Sequence, residues 1–380
     1  MKITIIGWYG TETLGDRAIL AGIIALLNDC FSSFEIALGS LYPFFTERTL
    51  AEDEELYAAF CGKKINIQLF DSRKIKELEQ AIRQSDMLIM GGGPLMHIHT
   101  MFMVEYAFKY ARKQHKKTMI MGCGIGPLEK RMHQRSLLKI FANSDVVVLR
   151  DKASAEFYRQ LDKKARPVLE AIDPAVRCLM DYKSKNYYFE KTTPFVAINF
   201  RAFPSEYNTA FDKQTLTDSL LAFVGQICRQ FPEHVVRLVP MHYFHIGNDD
   251  RMFLHQLRFD LAAAFPQVVV QNEPLSLFET MQLFAHADAN VGMRFHAVVF
   301  QTILQGNNYI LDYTDPTKGK IIGFLRDIEA ERFYRNRYVN LQNQPQSWSF
   351  DPNIENFTVN TALLEEKLAV YPQAIDEMLL

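Results

Sequence analysis

Lys2-Ile3-Thr4-Ile5-Ile6-Gly7-Trp8-Tyr9-Gly10-Thr11-Glu12-Thr13-Leu14-Gly15-Asp16-Arg17-Ala18-Ile19-Leu20 opens the chain. A short β-branched run gives way to a glycine-rich turn, and the turn to apolar residues at helical spacing, which is how a βαβ unit begins. The alternation recurs along the first half, predicting strands at 3–8, 35–39, 66–70, 87–90, 118–122 and 146–149 with amphipathic helices between them. Glycines and charged residues fall just past the strand ends, where open parallel sheets bind ligands.

From 181 to 194 the pattern lapses into polar and aromatic residues without a period, and a linker is expected there. Alternation restarts with strands at 195–200, 235–239, 268–271, 289–292 and 309–312. The reading is α/β throughout: two doubly wound Rossmann-like domains, 1–180 and 195–330, facing a cleft in a GT-B-like arrangement. Residues 331–380 are expected to form a loop holding Pro345, Trp348 and Pro352, then a helix from about Thr361 that packs back across the domains.

A length of 380 residues exceeds one ordinary core, and 48% apolar with 23% charged residues is a globular balance. With 42 Lys and Arg against 44 Asp and Glu, the net charge is −2, so no global basic field attracts nucleic acid or an anionic membrane. An anionic ligand must be met by local charge. The five cysteines are scattered without a C-x-x-C pair, which points to a reducing cytoplasm rather than a disulfide frame or zinc site. The apolar run at the N-terminus breaks at Gly7 with no cleavage site after it, and the stretch 18–27 falls short of the roughly 20 residues that span a bilayer. Peripheral attachment to a membrane stays open.

Gly10 and Gly15 lie in the first loop, Gly92 and Gly93 after the fourth strand, and Gly124 after the fifth; each is a candidate for close backbone approach to substrate, with tight packing as the alternative. Neither a P-loop nor a dinucleotide fingerprint is present. Asp16 stands at a helix start, as an N-terminal cap or a carboxylate facing ligand. Arg150 follows the sixth strand, pointing into the crevice or pairing with Asp151 or a distant carboxylate. Arg294 and His296 are two apart, on one side if the chain is still extended, ahead of an apolar helix. Lys318 and Lys320 follow the next strand, and Arg201 follows the strand at 195–200, facing either a ligand or an interdomain ion pair. His97 with His99, and His242 with His245, Asp249 and Asp250, lack a convincing ligand pattern, so no metal is expected.

Gly7 to Leu20 with Gly15-Asp16, Gly91-Gly92-Gly93, Gly122 to Leu128, Arg150-Asp151 with Ser154, Asp173-Pro174-Ala175, Arg294-Phe295-His296 and Asp315-Pro316 before a lysine occur in the order found in polysaccharide pyruvyl transferases, and the chain resembles that family over most of its length. It departs from the family pattern at Thr13, where Asn is more usual, at Phe295, where Leu is common, and at Thr317, which separates Asp315-Pro316 from Lys318. The resemblance implies transfer of the pyruvyl group of phosphoenolpyruvate, as a ketal, to a nucleotide- or lipid-linked sugar of a cell-surface polysaccharide or its precursor. Phosphoenolpyruvate is then donor substrate, and no cofactor is called for. The family assigns binding and catalysis to residues that map to Arg150, Arg294 and His296, with a lysine after Asp315-Pro316, Lys318 being favoured over Lys320.

A small trianion needs several cations, which Arg150, Arg294 and Lys318 would supply. Ketal formation moves protons, for which His296 is the candidate acid or base and Asp16 the candidate partner of the acceptor diol. Competing readings are a GT-B-like glycosyltransferase or sugar-nucleotide epimerase, and a non-catalytic glycan-binding relative.

Overall fold

The strand–helix alternation is realised in a computed structural model that describes residues 1–162, 166–204, 212–244, 248–342, 350–351 and 355–380. The chain divides into two units: Met1–Asp181 with Thr361–Leu380, and Tyr182–Asn360.

The first unit runs β1 (Lys2–Ile6), α1 (Leu14–Cys30), β2 (Glu35–Ser40), α2 (Pro43–Cys61), β3 (Asn66–Asp71), α3 (Ile75–Gln84), β4 (Met87–Gly91), β5 (Pro94–Leu95), α4 (Met101–Lys113), β6 (Lys117–Ile125), α5 (Arg131–Ala142), β7 (Val146–Leu149), α6 (Lys152–Leu161), β8 (Leu169–Glu170) and α7 (Ala175–Ser184). Its strands pair in parallel in the order β3-β2-β1-β4-β6-β7-β8, with β5 beside β6. The order reverses between β1 and β4, so the loops after those two strands flank the switch point where such sheets take ligands.

Parallel strands are covered on both faces, which is why Ile3, Ile5, Ile6 and all of Met87–Met90 are sealed from solvent. On one face Leu88, Met90 and Ile120 pack with Val104 and Phe108 of α4 and Leu137, Ile140 and Phe141 of α5. The other face carries α1, buried almost all round because it is enclosed by other elements. A Cβ on Gly22 would fall 1.8 Å from the Pro174 carbonyl oxygen, so Asp173-Pro174-Ala175 is the piece of chain that α1 packs against.

The second unit runs β9 (Phe195–Asn199), α8 (Lys213–Gln230), β10 (Val235–Leu238), α9 (Asp250–Leu261), β11 (Val268–Val270), α10 (Leu277–His286), β12 (Ala289–Gly292), α11 (Phe295–Leu304), β13 (Asn308–Asp312), α12 (Lys320–Asp327), α13 (Glu331–Tyr334) and β14 (Tyr338–Asn340). Its parallel order is β11-β10-β9-β12-β13-β14, reversing between β9 and β12. α14 (Thr361–Leu379) then joins the first unit, lying on α1, β7 and β8, with the Tyr371 hydroxyl donating to the Ile172 carbonyl at 2.6 Å.

Several expectations change. The stretch 181–194 begins inside α7, which runs to Ser184. Residues 331–360 belong to the second unit and add β14, while the final helix belongs to the first. The short strands β5, β8 and β14, of two or three residues each, were not expected from the sequence. Pro345, Trp348 and Pro352 lie outside the described residues. Among the described residues no helix is long and apolar enough to cross a membrane.

Candidate active site

The switch point of the second unit gathers cations. Arg201 follows β9, Arg294 follows β12, and Tyr313 follows β13. Arg294 is the N-cap of α11 in extended conformation, its backbone N–H donating to Asn199 Oδ1 at 3.0 Å, while Asn199 Nδ2 donates to the Val239 carbonyl at 2.9 Å. Asn199, sealed at the end of β9, thus fixes where β12 turns into α11. The helix begins at Phe295, so His296 is at its second position and the condition of an extended run through Arg294 and His296 is not met. His296 is half-buried, its ring edge-on to Phe295 with centroids 5.0 Å apart, beside the N-terminal backbone N–H groups of the helix.

The Arg294 guanidinium grips Asp250 through Nε at 2.7 and 2.9 Å and Nη2 at 2.5 Å. Burial pulls this arginine down, but Asp250 holds it above its ordinary value. Tyr313 is 2% exposed, with the Arg201 guanidinium 5.4 Å and the Lys320 ammonium 5.7 Å from its ring centre. Burial pushes the phenol up; Lys320, Arg201 and Arg294, with a hydrogen bond from Lys320, outweigh it and bring the phenol below its usual range. Lys320 also lies 5.9 Å from the Phe295 ring. Lys318 is exposed, its backbone N–H bound to Asp315 Oδ1 at 2.8 Å in a turn that also engages Thr317. The lysine of this cluster is therefore Lys320, not Lys318.

The first unit is different. Arg150 is 4% exposed, its Nη1 on Asp173 at 2.7 Å and its Nε 3.8 Å from Asp151. Asp173 in turn accepts from the Ala175 backbone N–H at 2.9 Å and starts α7. Burial lowers Arg150 and Asp173 more than restores it. This is the distant-carboxylate alternative that the sequence left open.

The glycines follow suit. A Cβ at Gly10 would meet Ser40 and Tyr42 within 2.8 Å, at Gly93 the Trp8 ring at 2.3 Å and Asp16 at 3.4 Å, and at Gly124 the Arg150 guanidinium at 2.8 Å. At Gly92, φ 110, it would meet the Tyr9 hydroxyl at 3.2 Å. Gly15 is buried within α1. At Gly92, Gly93 and Gly124 the adjoining space is taken by the Tyr9, Trp8 and Arg150 side chains, and at Gly10 by Ser40 and the Tyr42 backbone. Asp16 is in the first turn of α1, but Thr13 is the N-cap, so the capping alternative fails and the carboxylate is half-buried beside Gly93.

The sequence profile of the family described as polysaccharide pyruvyl transferase matches residues 14–315, which spans both units. The chain belongs to the polysaccharide pyruvyl transferase family. No curated protein matches it. Among solved structures, the fold of this family member is like that of a UDP-GlcNAc 2-epimerase from Methanocaldococcus jannaschii (TM-score 0.58, 12% identity, covering 97% of this chain and 99% of that one). It is also like UDP-N-acetylglucosamine 2-epimerase from Rickettsia bellii (0.58, 10%, 100% and 96%). A third such structure, UDP-GlcNAc 2-epimerase from Neisseria meningitidis, gives 0.54 at 12% identity over 99% of this chain and 100% of that one. The likeness is of fold: two parallel-sheet domains of GT-B type.

In this family member, Asp250 is occupied by Arg294 and Asp249 caps α9 and pairs with Arg251. Among the described residues no three His, Cys, Asp or Glu side chains gather where they could hold a metal; His245 lies outside them. Three contributors escaped sequence reading: Tyr313, Asn199 and, in the first loop, Glu12. The transferase holds Glu12 at φ 57 and only 8% exposed, an acidic residue in a left-handed turn where its type alone gives no warning.

Proposed function

We propose that the protein transfers the pyruvyl group of phosphoenolpyruvate to two hydroxyls of a sugar, forming a ketal and releasing phosphate. The observation that carries the reading is the convergence of Arg201, Lys320 and Arg294 about the buried Tyr313, with His296 at the head of α11, in a chain of net charge −2. A compact carboxylate-phosphate is the ligand such a cluster suits. Unit charges about 4 Å apart attract by roughly 4 kcal/mol at a protein-surface dielectric.

In this scheme Arg201 and Lys320 take the donor's carboxylate and phosphate oxygens, and the N-terminal N–H groups of α11 receive the phosphate that departs. Arg294, already neutralised by Asp250, orients the turn. His296 delivers a proton to the methylene carbon while a sugar hydroxyl oxygen bonds to the central carbon. The carbon–oxygen bond to phosphate breaks, and a second hydroxyl adds in its place. Of the two hydroxyl protons, one balances the new methyl group and the other leaves with phosphate. Tyr313 and Lys320, hydrogen-bonded, can pass a proton between these steps.

The test is phosphate release from phosphoenolpyruvate against nucleotide- and lipid-linked sugars, with mass spectrometry for the pyruvate ketal. His296→Ala should abolish release while the protein stays folded. Near-normal turnover in that variant, or phosphate release that needs no sugar, would reject the assignment.

A further inference from the structure

The first unit carries a second polar pocket, of opposite character to the cationic cluster. Trp8, Thr11, Glu12, Thr13, Asp16 and Thr49 line a narrow opening after β1. Glu12 is the unusual member. Its Oε2 pairs with Arg48, while its Oε1 is buried with no hydrogen-bond partner. A buried carboxylate oxygen left bare is costly, and the loop holds it there through a left-handed residue.

What would satisfy Oε1 is a donor brought from outside. The nearby cations are already committed: Arg48 to Glu12 and Glu52, and Arg17 to Asp53 at 2.6 Å and Glu52 at 2.9 Å. Asp16 on the same wall adds a second carboxylate, and Arg17, which also lines the opening, is held by Asp53 and Glu52. Burial pushes the Glu12 carboxyl up, with Arg48 and Arg17 opposing and Glu52 assisting, so this group exchanges a proton more readily than a solvated glutamate near neutrality. Threonine hydroxyls alongside offer further partners, Thr11 donating to the Trp8 carbonyl at 2.9 Å with Thr13 3.3 Å away.

We infer that this pocket is a hydroxyl-recognition site for the neutral, uncharged edge of a sugar, with Glu12 Oε1 accepting from one hydroxyl and Asp16 from its neighbour. The assignment of that sugar as the pyruvyl acceptor rests on the function proposed above; the pocket's preference for hydroxyls does not.

Trp8 in the wall reports on occupancy. The chain has two tryptophans, so Trp348→Phe leaves Trp8 as the sole indole. That variant is titrated with methyl glycosides of gluco, galacto and manno configuration, and separately with inorganic phosphate and magnesium chloride. The expected result is a saturable emission change with at least one glycoside and none with phosphate or magnesium. Adding Glu12→Gln should weaken that binding by about tenfold or more, the equivalent of one charge-assisted hydrogen bond. Arg48→Gln, which removes the ion pair and leaves Oε1 in place, should still saturate and so separates recognition from support of the loop. The inference is overturned if no glycoside saturates, if magnesium or phosphate does so instead, or if Glu12→Gln binds as tightly as its parent. Calorimetric titration with phosphoenolpyruvate, run in parallel, distinguishes the two readings: a failure to bind sinks the donor site alone, and an intact donor site with silent Trp8 sinks this one alone.

Discussion

Two switch points built by the same strand order carry opposite chemistry. In the first unit the reversal between β1 and β4 is lined by Glu12 and Asp16, and its buried tyrosines Tyr9, Tyr57 and Tyr371 are driven up, first by burial and then by nearby carboxylates such as Asp16, Asp53 and Asp173. In the second, the reversal between β9 and β12 sits beside a tyrosine whose cationic neighbours overcome burial. The first unit commits Arg150 to Asp173 and Arg17 to Asp53, while the second commits Arg294 to Asp250 and holds Arg201 and Lys320 about Tyr313. A fold fixes where ligands are received; the side chains at that place fix which ligands they are.

The largest effect should come from the buried pairs. Arg150→Met leaves Asp173 charged in the interior without its arginine, and should cost about 3–5 kcal/mol in denaturant unfolding, much of it recovered by adding Asp173→Asn. A variant that stays fully stable yet loses turnover would return Arg150 to the substrate and erase the contrast between the arginines. Next, Lys320→Met should weaken phosphoenolpyruvate binding by about tenfold or more in calorimetry, while Lys318→Met changes it by less than about twofold. The reverse ranking would restore the lysine first favoured by the sequence.

A spectroscopic titration sharpens the comparison further. Tyr313 should be the earliest of these four tyrosines to give the phenolate absorbance as pH rises, with Tyr313→Phe removing that early phase and Tyr9→Phe leaving it intact. The smallest effect concerns Glu12, whose folded carboxyl lies above its ordinary value of 4.5. A raised carboxyl favours folding below the ordinary value, and that contribution is lost as pH climbs through the folded one. Arg48, Arg17, Glu52 and Asp16 surround the group, so Glu12→Gln should raise stability by up to about 1 kcal/mol at neutral pH. The gain should fade below pH 4.5, and a loss at pH 7 would mean that the Arg48 pair outweighs the burial cost.

Much of this was legible. Alternating apolar runs placed the main strands to within a few residues, since a strand buried on both faces is long and β-branched; β5, β8 and β14 are too short to leave such a trace. Strand ends located the loops that matter. The partners filling those loops were not legible, because they come from afar: Arg150 meets Asp173 twenty-three positions on, and Gly124 is close-packed by that same arginine. The choice between Lys318 and Lys320 depended on the turn that Asp315 closes around Thr317, which orients one lysine outward and brings the other to Tyr313. Glu12 gave no signal because its backbone angle, not its residue type, puts it out of water.

The final helix carries a consequence for biosynthesis. Since α14 packs on α1, β7 and β8, the half of the protein translated first is topologically the last to be finished. Residues 182–360 can close their own sheet as they leave the ribosome, whereas the apolar flank of α1 waits uncovered for the last nineteen-residue helix to arrive. A nascent chain stalled before Thr361 would expose that flank and be the form that chaperones hold.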